Sequence, residues 1–419
     1  LPTVLPQSPP TSGGTAPSQL SDNARRGTLN TLRRAIFLVS LPFGILHFVL
    51  PIYGKSIGAN AVQIGLFFSV FSLMTVLLRP AVGVALDRYG RRPFFIAGLV
   101  GYALTMMAFA FAERVWAIVA ARTFQGAASA CLWLAADALT ADVAPTDGRG
   151  RAFGRLAQAN MQGALLGTFI GFGLLVSLNV SGGWMPLFLT YGLVSLATAG
   201  LAWRRLPETN PGFRRVSSRT VVWSRPMILL LLVTAVTGAS WAMVSPILMI
   251  YLQEKLAVGV MELASAYIPA ALVWAILPAR LGRLADRFGR KPLMVLGMAV
   301  AAASSFLIPG LGSLWALATL WALQALCYAA GDPAEQALVA DLTGDDQRGR
   351  AYGFYALAAG LGATLGPLLG GWIYEALGPQ APFYANGLIL AVSTLLLGLL
   401  LQVPENPQSR PSQAAGGNE

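Results

Sequence analysis

From residue 33 onward the chain alternates long, nearly uninterrupted apolar runs with short polar breaks. A helix needs about 20 residues to cross the hydrocarbon core of a bilayer. Twelve runs have that length: 33–53, 62–81, 93–112, 115–138, 151–178, 184–203, 226–251, 260–279, 292–311, 314–340, 351–376 and 382–402. They are too long and too continuously apolar for barrel strands. In lipid, only helices or closed barrels satisfy the backbone polar groups. The pattern therefore predicts an all-α membrane protein with twelve transmembrane helices. Pro42, Pro51, Pro246, Pro269 and Pro333 fall inside or near the ends of these runs, where membrane helices tolerate bends.

Composition agrees. The 419 residues are 55% hydrophobic and 11% charged, against about 25% charged in soluble domains. A net charge of +11 raises the possibility of nucleic acid, but the basic residues sit in short loops between apolar runs, as they do when charge sets membrane orientation. No nucleic-acid partner is expected; the bilayer is. Of the 29 Lys and Arg residues, Lys55, Arg114 and Lys255 fall on one side of the array and Arg122 lies within the fourth run. The rest lie on the other side, which the positive-inside rule makes cytoplasmic, with both termini there. Residues 1–31, rich in Pro, Ser, Thr and Gly, read as a disordered tail. Cys131 and Cys327 lie inside apolar runs without metal-type spacing, so no metal, cofactor or disulfide framework is expected.

One charged stretch occurs twice. Gly83-Val-Ala-Leu-Asp87-Arg88-Tyr-Gly90-Arg91-Arg92-Pro93 is matched 199 residues later by Gly282-Arg-Leu-Ala-Asp286-Arg287-Phe-Gly289-Arg290-Lys291-Pro292. The same offset relates Asp142 to Asp341, Arg149-Gly-Arg-Ala to Arg348-Gly-Arg-Ala, and Gly163, Gly167 and Gly171 to Gly362, Gly366 and Gly370. The chain thus reads as two parallel six-helix repeats, 32–206 and 226–403. A cytoplasmic linker at 207–225 joins them, and a tail at 404–419 follows. Pro207-Glu208-Thr209-Asn210-Pro211 opens the linker, and Pro404-Glu405-Asn406-Pro407 ends the second repeat.

These residues carry a resemblance. The Gly83 to Arg92 stretch resembles the signature loop that joins helices 2 and 3 of the major facilitator superfamily. Gly282 to Lys291 resembles its second copy, between helices 8 and 9. Arg122-Thr-Phe-Gln125-Gly126 resembles a helix-4 signature of that family's proton-coupled members. The resemblance spans residues 32–403. It implies two six-helix halves about an axis along the membrane normal, with a site near the midplane that opens alternately to each side. It also implies gating residues. Asp87 should meet the positive N-terminal end of helix 11, here near Ala351. Arg91 should pair with an acid at the end of helix 4, Asp142 first and Asp137 second. By the repeat, Asp286 should meet the start of helix 5 and Arg290 should meet Asp341. The competing reading is that the charges only set topology, but topology does not require Asp and Gly at repeated spacing. Partly exposed pairs contribute on the order of 1 kcal/mol each, which suits a latch that opens every cycle.

Gly362-Ala-Thr-Leu-Gly366-Pro367-Leu-Leu-Gly370 resembles the Gly-Pro signature many family exporters carry in helix 5. Here Thr168 stands at the corresponding position of helix 5. Close packing between the halves explains the small residues equally well. Ionisable residues within the spans are functional candidates. Arg122 lies about seven residues, roughly 10 Å, into its helix, and Gln125 shares its face. His47 is the chain's only histidine and is either a titrating or a packing residue. Asp332 and Glu335 share a helix face, as proton or cation carriers or as counter-charges to Arg283, Arg287 or Arg290. Trp241, Tyr267, Trp274, Trp321 and Tyr328 are candidate cavity-lining aromatics.

The expected function is transport across the inner membrane by a monomer: export of small amphipathic organic molecules driven by proton entry. Alternatives are a sugar-like, anionic or lipid-like metabolite as substrate, or a non-transporting membrane sensor. No nucleophile–base set or metal cluster points to an enzyme.

Overall fold

The computed structural model describes residues 22–145, 149–177, 184–209, 224–277, 290–341 and 348–400. The helices, in chain order, are α1 (Asp22–Val39), α2 (Leu41–Ser56), α3 (Ala61–Tyr89), α4 (Arg92–Ala110), α5 (Val115–Val143), α6 (Arg149–Ser177) and α7 (Trp184–Arg205) in the first half. In the second half they are α8 (Arg225–Leu256), α9 (Val260–Ile276), α10 (Arg290–Leu307), α11 (Leu314–Asp341), α12 (Arg348–Leu377) and α13 (Ala381–Leu400). α1 and α2 form one broken first span, so the described helices account for all twelve expected spans.

Three boundaries differ from expectation. Helix starts at Asp22, inside the stretch expected to be tail, and α1 packs on α6 and α7 with Thr28, Leu32, Ala35 and Ile36 buried. The first span breaks at Ser40, since Pro42 in the first turn of α2 has no N–H to continue the ladder. α3 runs through the charged stretch to Tyr89, so only Gly90, with φ of +98°, makes the turn. Local caps set other starts. Asn60 and Gln63 bond reciprocally at the head of α3, and Ser224 caps α8.

Each packing pair in the first half has its counterpart in the second. α3 with α5 corresponds to α9 with α11, α4 with α5 to α10 with α11, and α4 with α7 to α10 with α13. The first span against α6 corresponds to α8 against α12. This equivalence is the two-repeat architecture in contact form. The glycine stripes explain the last pair. A methyl at Gly163 or Gly167 would overlap the carbonyls of Phe37 or Leu41, and one at Gly366 or Gly370 those of Ala239 or Met243. At Gly171 it would press on Ile45, and at Gly362 on Ala235. The stripes therefore bring backbones together inside each half, not between halves as expected.

The halves meet unequally. α3 and α12 pack closely, with Gly65 against the Pro367 carbonyl and Gly371 against that of Ala61, whereas α6 and α9 barely touch. The apolar core follows the same asymmetry. At the end away from the charged loops, one buried cluster joins both halves, including Val49, Phe67 and Tyr191 with Met243, Ile250 and Leu263. At the end carrying the Asp87 stretch, hereafter the basic end, the buried clusters of the described residues separate by half. Leu86, Phe95 and Leu139 belong to one, Met227, Leu230 and Met294 to another. Large apolar side chains such as Leu77, Leu232 and Leu395 face outward, as lipid contact requires.

Candidate functional site

Three layers of polar chemistry lie along the interface axis. At the basic end, Gly90 ends α3 and aims Arg91 back under it. Arg91 donates to the Leu86 carbonyl and to Asp87 Oδ1, both at 3.1 Å, and its Nε lies 3.0 Å from Asp142 Oδ2 at the end of α5. The guanidinium is buried; Asp142 is largely so and Asp87 is half exposed. Asp142 also accepts from Thr209 Oγ1 at 2.9 Å. Glu208, just beyond α7, accepts from the backbone N–H groups of Arg91 at 2.8 Å, Arg92 at 3.1 Å and Thr209 at 2.9 Å. It thereby satisfies donors that the first turn of α4 cannot satisfy itself. Arg92 bonds the Trp203 carbonyl and lies over its ring, and Arg88 lies over Tyr89.

Glu208 and Thr209 were missed as functional residues. Their signal was present in the Pro-Glu pair that ends both repeats. Gly83 meets nothing tighter than Leu134 at 3.7 Å, so a close helix approach does not explain it. Gly282, Asp286, Arg287 and Gly289 lie outside the described residues. So do the side chains of Arg290, Asp341, Asp332 and Glu335, and those at 351–352 near the expected partner of Asp87. Lys291 is half-buried at the start of α10.

The middle layer holds Arg122 and His47. Arg122 is buried; its Nε donates to the Phe67 carbonyl at 3.0 Å and Nη1 to Gln125 Oε1 at 2.6 Å. Its guanidinium carbon stands 5.1 Å from the Phe68 ring centre and 4.4 Å from that of Phe71. A charge at this depth costs a few kcal/mol on insertion scales; here it is offset by two hydrogen bonds and two ring faces. His47 of α2 edges onto the same Phe68 at 5.9 Å and stacks on Trp241 of α8 at 5.8 Å. Its Nε2 is 2.5 Å from Ser245 Oγ, a bond between the halves. Phe48, Tyr267 and Trp321 continue the aromatic run into the buried core, with ring centres 5.0 Å and 5.9 Å apart in succession. The side chains of Trp274 and Tyr328 lie outside the described residues.

The third layer closes the far end across the halves. Lys55 pairs with Glu254, Tyr374 Oη donates to Glu254 at 3.2 Å, and Glu375 accepts from the Ala61 N–H at 3.0 Å. Glu375 thus caps the first-half helix α3 from the second half. Cys131 and Cys327 are both free.

Two bundles of equivalent helices, sealed together at one end, with charge and aromatics midway between them, define an alternating-access membrane transporter rather than an enzyme. Residues 35–282 and 230–418 match the family model of the Major Facilitator Superfamily, and the chain belongs to that family. Among its relatives, the multidrug resistance protein MdtG of Salmonella choleraesuis (strain SC-B67) is 27% identical over 382 residues, 88% of this chain and 93% of that protein. The class H tetracycline resistance protein of Pasteurella multocida is 23% identical over 383 residues, covering 87% and 92%. Among solved structures, a bacterial homologue of the human lysosomal transporter Spinster, in its inward-facing and occupied conformation, superposes with a TM-score of 0.75. It is 17% identical and covers 90% of this chain and 97% of that one.

Proposed function

We propose that this transporter exports small amphipathic organic molecules in exchange for protons, as a monomer in the inner membrane with both termini cytoplasmic. The observation that carries the reading is the split of the buried core. Among the described residues it is continuous between the halves at the far end and divided by half at the basic end, which favours approach to the midplane layer from the basic, cytoplasmic side. Relatives named for multidrug and tetracycline resistance favour drug-like substrates. An aromatic-rich midplane suits flat apolar molecules. Arg122 has two of its donors engaged by its own half and both flanks covered by Phe68 and Phe71, which favours a role in coupling over direct capture of an anion.

The test is accumulation of tetracycline and of ethidium in everted vesicles with an acid interior. Accumulation that collapses on adding a protonophore is expected. Movement indifferent to the protonophore, or none for either compound, refutes the reading.

A further inference from the structure

We propose that His47 carries the coupling proton and that its bond to Ser245 communicates that proton to the opposite half; this rests on the proton-coupled reading above. His47 is the only histidine in the chain, and its imidazole, half-buried, bonds a hydroxyl of the other half at 2.5 Å while stacking on Trp241 at an interplanar angle of 15°. In a neutral imidazole one nitrogen donates and one accepts. In the protonated ring both donate, so Ser245 must present its oxygen and turn its own proton elsewhere. The charge change is therefore felt directly by α8. Phe48 and Phe68 bracket the ring edgewise, and the Trp241 face can receive the cation.

Among the described side chains, the charged group facing His47 is Arg122 of α5, on the other flank of Phe68. Lys55 of α2, about two turns along from His47, comes next, then Glu254 of α8 and Arg79 of α3, about two and a half to three turns along their helices from the residues that touch the imidazole. α1, α6 and α7 hold their charges nearer the basic end, and α9 offers the Tyr267 hydroxyl beyond Phe48. No described carboxylate competes for the role at this depth.

The contact also sits where movement starts. Pro51 in α2 and Pro246 in α8 lie just beyond it, and proline is where helices bend. The segments past those prolines end in Lys55 and Glu254, which close the far end. A proton taken up at His47 when the site faces outward, and lost when it faces the basic end, would thus act at the base of both closing segments.

The experiment uses full-length protein with Cys131 and Cys327 replaced by serine and spin labels at Ser56→Cys and Gln380→Cys. Label distances are measured between about pH 3.5 and pH 8, a range that covers the ordinary imidazole titration and extends below it. The distance distribution should shift with pH in the parent, lose its pH dependence in His47→Gln, and keep it with a displaced midpoint in Ser245→Ala. His47→Gln should also lose protonophore-sensitive tetracycline accumulation. A His47→Gln protein that responds to pH like the parent, or still accumulates tetracycline against a gradient, overturns the proposal. So does a Ser245→Ala protein with an unchanged midpoint. If the parent moves no tetracycline while its label distances still follow His47, the export reading fails and the proton-operated contact stands.

Discussion

Replacing Glu208 by alanine should weaken the whole basic-end network, although Glu208 lies in neither copy of the charged stretch. Its carboxylate receives three backbone N–H groups, at 2.8, 3.1 and 2.9 Å. Two of them belong to Arg91 and Arg92, at the start of α4, where no intrahelical acceptor exists. Losing a cap of this kind costs about 0.5–2 kcal/mol. The negative charge at a helix start adds about 0.3–1 kcal/mol, and the remaining unsatisfied N–H about 1 kcal/mol. Together these give roughly 2–4 kcal/mol. Hydrogen exchange reads the effect locally: at tenfold per 1.4 kcal/mol, the Arg91 and Arg92 amides should exchange roughly 30- to 700-fold faster. Glu208→Gln keeps one acceptor oxygen and should show about half the loss in free energy. Glu113→Ala, in an exposed turn at the far end, should leave those amides unchanged. If Glu208→Ala exchanged at parental rates, Glu208 would not be capping α4, and the network would stand on Arg91 with Asp87, Asp142 and Thr209.

Gly366→Val should sharply reduce the monodisperse fraction on size-exclusion chromatography, since overpacking costs about 1–3 kcal/mol or more; Gly173→Ala, with open space at its Cβ, should not. Lys55→Cys with Glu254→Cys, in a background lacking the native cysteines, should be bridged by a short bifunctional thiol reagent and stop transport; failure to bridge would contradict closure of that end. Lys55→Glu and Glu254→Lys should each shift the conformational equilibrium by about 1 kcal/mol or less, and the double reversal should restore it, as read from the same spin-label distances. Glu113→Cys should react with an impermeant thiol reagent on intact cells and Pro145→Cys only after permeabilisation; the opposite pattern would invert the proposed orientation.

The span count and the two repeats were legible because lipid enforces them: a run of apolar residues of fixed length has few alternatives to a helix. The Arg122–Gln125 pairing was legible for the same local reason, being a contact three residues apart on one helix. What escaped was long-range. Nothing in the spacing of Gly65 or Gly371 announces that each faces a carbonyl of the other half, and the regular stripes of α6 and α12 suggested the wrong partner for that contact. Ser245 is an ordinary residue until the fold sets it against His47. Glu208 was visible as a repeated Pro-Glu pair, but its acceptors' destination depended on a turn that Gly90 makes elsewhere. The extent of α3 was misjudged because charge was read as loop, whereas the helix carries Asp87 and Arg88 to Tyr89 and the turn at Gly90 brings Arg91 back to Asp87.

The pair formed by Lys55 and Glu254 bears on descent. The two residues occupy equivalent places in the two repeats and pair directly with each other, with Tyr374 adding a bond to Glu254. In a self-complementary interface, a position meets its own copy only on the symmetry axis. Had the halves once been identical chains associating as a pair, this spot would have held two lysines or two glutamates, which repel. The attraction found there is available only to unequal partners. Duplication alone could not have made this closure; it required the two halves to diverge, one axial residue changing without its twin.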